Sequence, residues 1–167
     1  ELPGAEPISG IGIMEQVSFT DRPQTMPEEL PERLEAGTQN VCGIAGLLEG
    51  LRYVRRRGTA AIREQERSLL RQAIDGLRGT YFELFHGAGQ CGVLSLRSPV
   101  WDCEDLAARL SERGVCVRAG LHCAPLAHRS AGTLETGTLR LSFSPFVTAE
   151  QLRTACQILR ELAAERN

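Results

Sequence analysis

The 167-residue sequence contains no lysine: all 19 of its cationic side chains are arginine. No side chain in it can offer an amine. It also lacks any Cys-x-x-Cys pair, so a structural zinc site would have to be assembled from scattered ligands, and no metal centre is expected. Nowhere does an apolar run approach the roughly 18 residues that a bilayer-spanning helix requires, and the first residues lack a charged n-region ahead of an apolar h-region. A cytoplasmic protein with no membrane partner is the expectation. Excess positive charge is missing too: the formal net charge is -2, which leaves no electrostatic footprint for nucleic acid. The short cluster Arg55-Arg56-Arg57 falls where a helix is expected to end, and cations there complement the helix dipole. Without a secretory signal, Cys42, Cys91, Cys103, Cys116, Cys123 and Cys156 are expected as reduced thiols rather than disulfides.

With 42% hydrophobic and 24% charged residues the chain has the composition of an ordinary globular protein able to form a core. Residues 1 to 40 carry Pro3, Pro7, Pro23, Pro27 and Pro31 with little periodicity, and are expected to be extended or looped, as a piece of something larger. From Asn40, a candidate N-cap, the apolar residues Val41, Ile44, Leu47, Leu48, Leu51 and Val54 recur at helical spacing until Gly58. Thr59 is placed to cap a second helix whose stripe is Ile62, Leu69, Leu70, Ala73, Ile74 and Leu77. The period then changes. Tyr81–Phe85 and Cys91–Leu96 read as two strands joined by a turn. Asp102 caps a third helix bearing Leu106, Ala107 and Leu110, a strand is expected over Val115–Arg118, and 119–137 reads as a loop. Thr138–Phe143 alternates Leu139, Leu141 and Phe143 with Thr138, Arg140 and Ser142, the signature of a half-buried strand. Thr148 and Gln151 have capping-box spacing ahead of a last helix with Leu152, Ala155, Cys156, Leu159 and Leu162 on one side. This order predicts an α+β fold, with helices packed on a small, mostly antiparallel sheet.

Three constellations carry chemistry. Cys123 stands in the expected loop beside His122, with His128 further on; a thiol acts as a nucleophile in its thiolate form, which a nearby imidazole or guanidinium can favour. Cys42, Cys116 and Cys156 instead sit within apolar patterns and read as small core residues. Arg118 and Arg140 fall in or beside strands with apolar neighbours, where a guanidinium needs an anionic partner. The alternatives are an external carboxylate, which the planar fork suits, an internal acid such as Glu104 or Glu135, or simple exposure to water from the polar sheet face. Gly37-Thr38, just ahead of the first helix, could offer a hydroxyl and backbone N–H groups to a phosphate, or could serve as ordinary turn residues.

Three tracts in this order resemble motifs of class V aminotransferase-fold enzymes, closest to the cysteine desulfurase and selenocysteine lyase group. Pro31-Glu-Arg-Leu-Glu-Ala-Gly-Thr-Gln-Asn40 resembles the family's RFEAGTPN segment, and Arg118-Ala-Gly-Leu-His-Cys-Ala124 resembles RxGxHCA. Gly137-Thr-Leu-Arg-Leu-Ser142 with Pro145-Phe-Val-Thr148 resembles GxxRxSxxxYNT. Gln39 and Val147 stand where the family usually has proline and asparagine. The resemblance implies the small C-terminal domain of a fold-type I pyridoxal-phosphate enzyme, residues 51–167, preceded in residues 1–50 by a strip of the large domain and the start of the linking helix. It implies that Cys123 takes sulfur or selenium from an amino-acid substrate as a persulfide, that Arg140 holds the substrate carboxylate with help from Arg118, and that His122 assists. Thr38 with Gly37 would meet the cofactor phosphate, across the interface of a homodimer. The family's Schiff-base lysine precedes these tracts, so the lysine-free chain is expected to follow it and to be inactive alone. A sulfur-acceptor protein is the implied partner. A same-fold aminotransferase or lyase with no persulfide step, or a non-catalytic docking domain, are the rival expectations.

Overall fold

The computed structural model describes residues 28–35 and 37–165, so the glycine-rich stretch expected near Ile8 and most of the looped opening lie outside the described residues. The chain divides after Tyr53 into two compact units. The first ends within helix α1 (Val41–Arg57), which begins after a single 3-10 turn at Glu32–Leu34. As expected, Asn40 caps this helix, its Oδ1 accepting from the Gly43 N–H at 2.9 Å, and three arginines close it. Its apolar stripe is open, however: Val41, Ile44, Leu47, Leu48, Leu51 and Val54 are all at least 40% exposed.

The second unit is a two-layer α+β fold, as predicted. It continues with α2 (Thr59–Gly76), β1 (Glu83–Phe85), β2 (Val93–Arg97), α3 (Cys103–Glu112), β3 (Arg118–Gly120), α4 (Pro125–Ala131), β4 (Thr138–Ser142) and α5 (Ala149–Ala164). The strands form one antiparallel sheet in the order β1-β2-β4-β3. Alternation along β2 and β4 sends Leu94, Leu96, Leu139 and Leu141 to one face, each no more than 4% exposed. Against them pack Leu69, Leu70 and Ala73 of α2, Leu106 and Leu110 of α3, and the α5 stripe of Leu152, Cys156, Leu159 and Leu162. Fully burying one such leucine stabilises the fold by about 1.5–3 kcal/mol. The caps at the other helix starts follow the sequence. Asp102 accepts from the Glu104 N–H at 2.8 Å, and Thr148 and Gln151 exchange both bonds of a capping box at 2.9 and 3.1 Å. No helix among the described residues is long and apolar enough to cross a membrane.

Four sequence expectations need correction. The strand predicted over Val115–Arg118 is instead β3 at Arg118–Gly120, because Val115 and Val117 are drawn under the core while only the later residues find β4 as a ladder partner. The predicted loop 119–137 contains α4, with Pro125 in its first turn and left-handed Gly132, φ 68°, at its end. Proline at the start and glycine just past the end are the helix signal that the short segment carried. Gly58, at φ 80° and with no side-chain cap, takes the N-cap position assigned to Thr59. Finally, all six cysteines are free, as expected, but Cys42 and Cys116 are exposed and only Cys156 is buried.

In urea unfolding of this chain, Leu159→Ala, at a fully buried site, should lower the unfolding free energy by about 2–5 kcal/mol. Thr148→Ala should cost about 1 kcal/mol through the lost cap, and Leu47→Ala, 64% exposed, should stay within about 0.5 kcal/mol.

Candidate functional site

The face of the sheet opposite the leucine core carries the polar residues. Register places Phe85 opposite Ser95, Ser95 opposite Arg140, and Arg140 opposite Arg118, one row running across all four strands. Helix α4 lies over part of this face: Ala127, His128 and Ala131 together with Phe85, Ser95, Thr133 and Thr138 line a cavity of about 150 Å³. Two guanidiniums directly opposite on one face repel each other unless an anion sits between or beside them. Among the described residues neither Arg118 nor Arg140 forms an ion pair, so the internal pairing with Glu104 or Glu135 is not realised. The Nε of Arg140 is buried and has no hydrogen-bond partner among the described residues. A buried charged donor left in that state is costly, and a carboxylate reaching it would relieve the cost.

Cys123 reaches the same place through a turn. The Ala124 N–H donates to the Leu121 carbonyl at 2.9 Å, and both central residues are left-handed, His122 at φ 52° and Cys123 at φ 60°. That is the geometry of a type I′ turn, which asparagine and glycine favour and which costs other residues about 1–2 kcal/mol each. Such strain persists only where the surroundings over-determine it. Here the His122 Nε2 bonds the Thr138 Oγ1 at 3.2 Å, and the Arg118 Nη2 approaches the Cys123 Sγ at 3.8 Å. Cys123 is exposed, whereas the His122 Nδ1 is buried without a hydrogen-bond partner among the described residues. Gly137 completes the frame. It sits at φ 61°, and a Cβ there would come within 3.0 Å of the Gly120 Cα and 3.1 Å of the Cys103 Sγ, so glycine lets β3 and β4 close beside the site.

The structure thus brings together Arg118, Arg140, His122 and Cys123. Gly37 and Thr38 belong to the first unit and are described on their own. Gly37 bends the chain at φ 87°, and Thr38 is exposed. Sequence reasoning missed Ser95, Thr138, Phe85 and Thr133. Period-two alternation could have flagged Ser95 and Thr138, since both share the face of Arg140; Phe85 and Thr133 carried no such mark. No group of three or more His, Cys, Asp or Glu able to hold a metal ion occurs among the described residues.

Set beside known proteins, these features have a consistent match. The family model described as Aminotransferase class-V matches residues 2–154. The chain belongs to the class V aminotransferase family. It is 34% identical over 160 residues to a probable cysteine desulfurase of Pyrococcus abyssi, which takes in 93% of this chain and 38% of that protein. It is 37% identical over 116 residues to a cysteine desulfurase of Klebsiella pneumoniae, covering 69% of this chain and 28% of the relative. Among solved structures, the apo cysteine desulfurase of Thermococcus onnurineus superposes with a TM-score of 0.74 at 33% identity, over 96% of this chain and 40% of that one. The chain therefore spans well under half the length of these relatives.

Burial first, and then the Arg140 guanidinium, hold the His122 imidazole below its ordinary value of 6.5. The folded state thus favours the neutral ring, and the unfolded chain takes up its proton first as pH falls. Stability from neutral His122 is whole above 6.5 and is lost as pH falls through the lower folded value. His122→Gln should flatten the difference in denaturation midpoint between about pH 7.5 and about pH 5.5. In NMR titration of the parent chain, Arg140→Gln should raise the His122 midpoint; a midpoint that falls or stays put would remove Arg140 as a cause.

Proposed function

We propose that this chain is the thiol-bearing portion of a pyridoxal-phosphate-dependent enzyme of the cysteine desulfurase type, which takes sulfur or selenium from an amino acid. One observation carries the reading. The buried Nε of Arg140, without a partner among the described residues, lies on the strand position opposite Arg118, and the Arg118 Nη2 in turn comes within 3.8 Å of the Cys123 sulfur, so a candidate anion site and a thiol share one sheet edge. A small amino acid offers both complements: a carboxylate for the first and a transferable side-chain atom for the second.

Residues 51–167 form the small domain in this reading, and residues 1–50 are a strip of the larger one. Thr38 and Gly37 would hold the cofactor's phosphate through hydroxyl and backbone N–H donors. Since the chain has no lysine, the covalent anchor of the cofactor lies on residues outside it. When bound, pyridoxal phosphate supplies an electron sink for bond cleavage at the substrate, leaving the protein to position groups around it. Arg140 binds the α-carboxylate in bidentate fashion, and Arg118 closes over it from the neighbouring strand. Neutral His122, whose Nδ1 has no partner among the described residues, can take a proton in the turn that carries the thiol. The Cys123 thiolate would attack the substrate's sulfur as that sulfur's bond to carbon breaks, the bonding pair leaving on the carbon that the bound cofactor would stabilise, and Cys123 would keep the sulfur as a persulfide. Its exposed, left-handed turn leaves that sulfur open to an acceptor protein. In the complete enzyme a homodimer would place Thr38 toward the cofactor of the partner copy.

Sulfide release from cysteine by the complete enzyme tests this reading. Cys123→Ala should lower it on the order of 1,000-fold, as loss of a covalent nucleophile does. Unchanged release, with or without an acceptor protein, would defeat the persulfide role and leave an aminotransferase or lyase of the same fold. Arg140→Gln should raise KM for cysteine by about tenfold or more, the worth of one charged hydrogen bond.

A further inference from the structure

The mechanism above leaves the buried imidazole of His128 without a task. His128 is 7% exposed, on the third residue past the start of α4, against the same cavity that Ser95 and Thr138 line. An imidazole in that position needs a reason, because its ring nitrogens must find partners away from water. It is held from several directions. The His128 Nδ1 and the Thr133 Oγ1 are 2.8 Å apart, the Thr133 N–H donates to the His128 carbonyl at 2.9 Å, and the His128 N–H donates to the Ala124 carbonyl at 3.2 Å. Left-handed Gly132 turns the chain so that Thr133, itself 1% exposed, comes back onto the ring. The Gly137 N–H then donates to the Thr133 carbonyl at 2.9 Å, tying this cluster to the start of β4.

What this rigid ring faces is His122. The two ring centroids are 5.8 Å apart with a tilt of 48°. The His122 ring is therefore fixed at its Nε2 by Thr138 and on its flank by His128. His122 is also the first of the two left-handed residues that carry the thiol, in a turn whose backbone neither glycine nor asparagine makes easy. Remove the flank and the ring can swing about the Thr138 bond, and the turn loses one of the contacts that compel its conformation.

We propose that His128 is a positioning residue for Cys123: fixed by Thr133, its buried ring sets the His122 side chain and so keeps the left-handed turn that presents the thiol to Arg118. It does not touch the reacting atoms. Its effect reaches Cys123 through His122, a coupling between packed neighbours. The proposal rests on the reading of Cys123 as the functional thiol, but its test needs neither cofactor nor turnover.

The test is the rate of iodoacetamide modification in this chain, resolved by peptide mass spectrometry, with exposed Cys116 as an internal control. His128→Asn keeps an amide able to reach Thr133 while removing the ring; Thr133→Val keeps the ring and removes its side-chain bond. Each should lower the Cys123 rate relative to Cys116 by about threefold or more, because the sulfur is no longer held in the exposed left-handed turn beside Arg118. Each should also shift the His122 imidazole resonances. In a His122→Gly background, where glycine adopts the turn unaided, adding His128→Asn should change the ratio by less than about 1.5-fold. Two outcomes would overturn the proposal. One is an unchanged or raised Cys123 to Cys116 ratio in a variant that still unfolds cooperatively. The other is a full-sized effect of His128→Asn without His122. If only one of the two single variants folds, that one decides. Failure here with Cys123→Ala still abolishing sulfide release would remove His128 alone; loss of the Cys123 effect on sulfide release would remove the functional reading itself.

Discussion

Everything at the site depends on strand β4 holding one register. It is paired on both edges, with β2 through Val93–Leu96 and with β3 through Arg118–Gly120, and its residues alternate between two unlike environments. Leu139 and Leu141 enter the leucine core, while Thr138 and Arg140 face the opposite side. A slip by one residue would drive the Arg140 guanidinium into that core and bring two leucines to the polar face. The cost of burying an unpaired charge makes the observed register the only one the sheet can tolerate. The same constraint fixes Arg118 opposite Arg140 and Thr138 within reach of His122, so core packing and site geometry follow from one alternation.

The site is also where the fold accepts unfavourable local features. Two arginines face each other across a strand pair, the Nε of one is buried without a partner among the described residues, and two residues with side chains hold a left-handed turn. Each costs free energy in the isolated chain, and none serves the core. Their concentration within a few residues of one exposed thiol is the pattern expected of a binding and reaction site, where strain and unpaired charge are retained because a ligand relieves them. By contrast, the arginines outside this region behave conventionally. Arg97 pairs with Glu83, and Arg113 spans Glu161 and Glu165 at the solvent surface.

The apolar stripe of α1 shows a limit of pattern reading. Its residues recur at core-facing spacing, yet they are exposed, and the chain covers only 38% and 40% of two relatives it resembles. Periodicity says that a face is built to be covered; it does not say that the cover is on the same chain. Cys42 and Cys116 fall to the same limit. Both lie in apolar patterns, and both are open to solvent.

The sequence by itself determined the α+β class, the caps at Asn40, Asp102 and Thr148, the core stripes of α2 and α5 and the alternation of β4, because each depends on neighbours within about one helical turn or on a period of two. It also marked Cys123, His122, Arg118 and Arg140 as candidate site residues. What only the tertiary structure decided is how they meet: the displacement of β3 to Arg118–Gly120, the left-handed turn at His122 and Cys123, the short helix α4 and the seating of His128 against His122. These arise from contacts between strands and a helix distant in sequence. Local propensity opposes the left-handed turn outright, so only the summed packing of its surroundings could impose it.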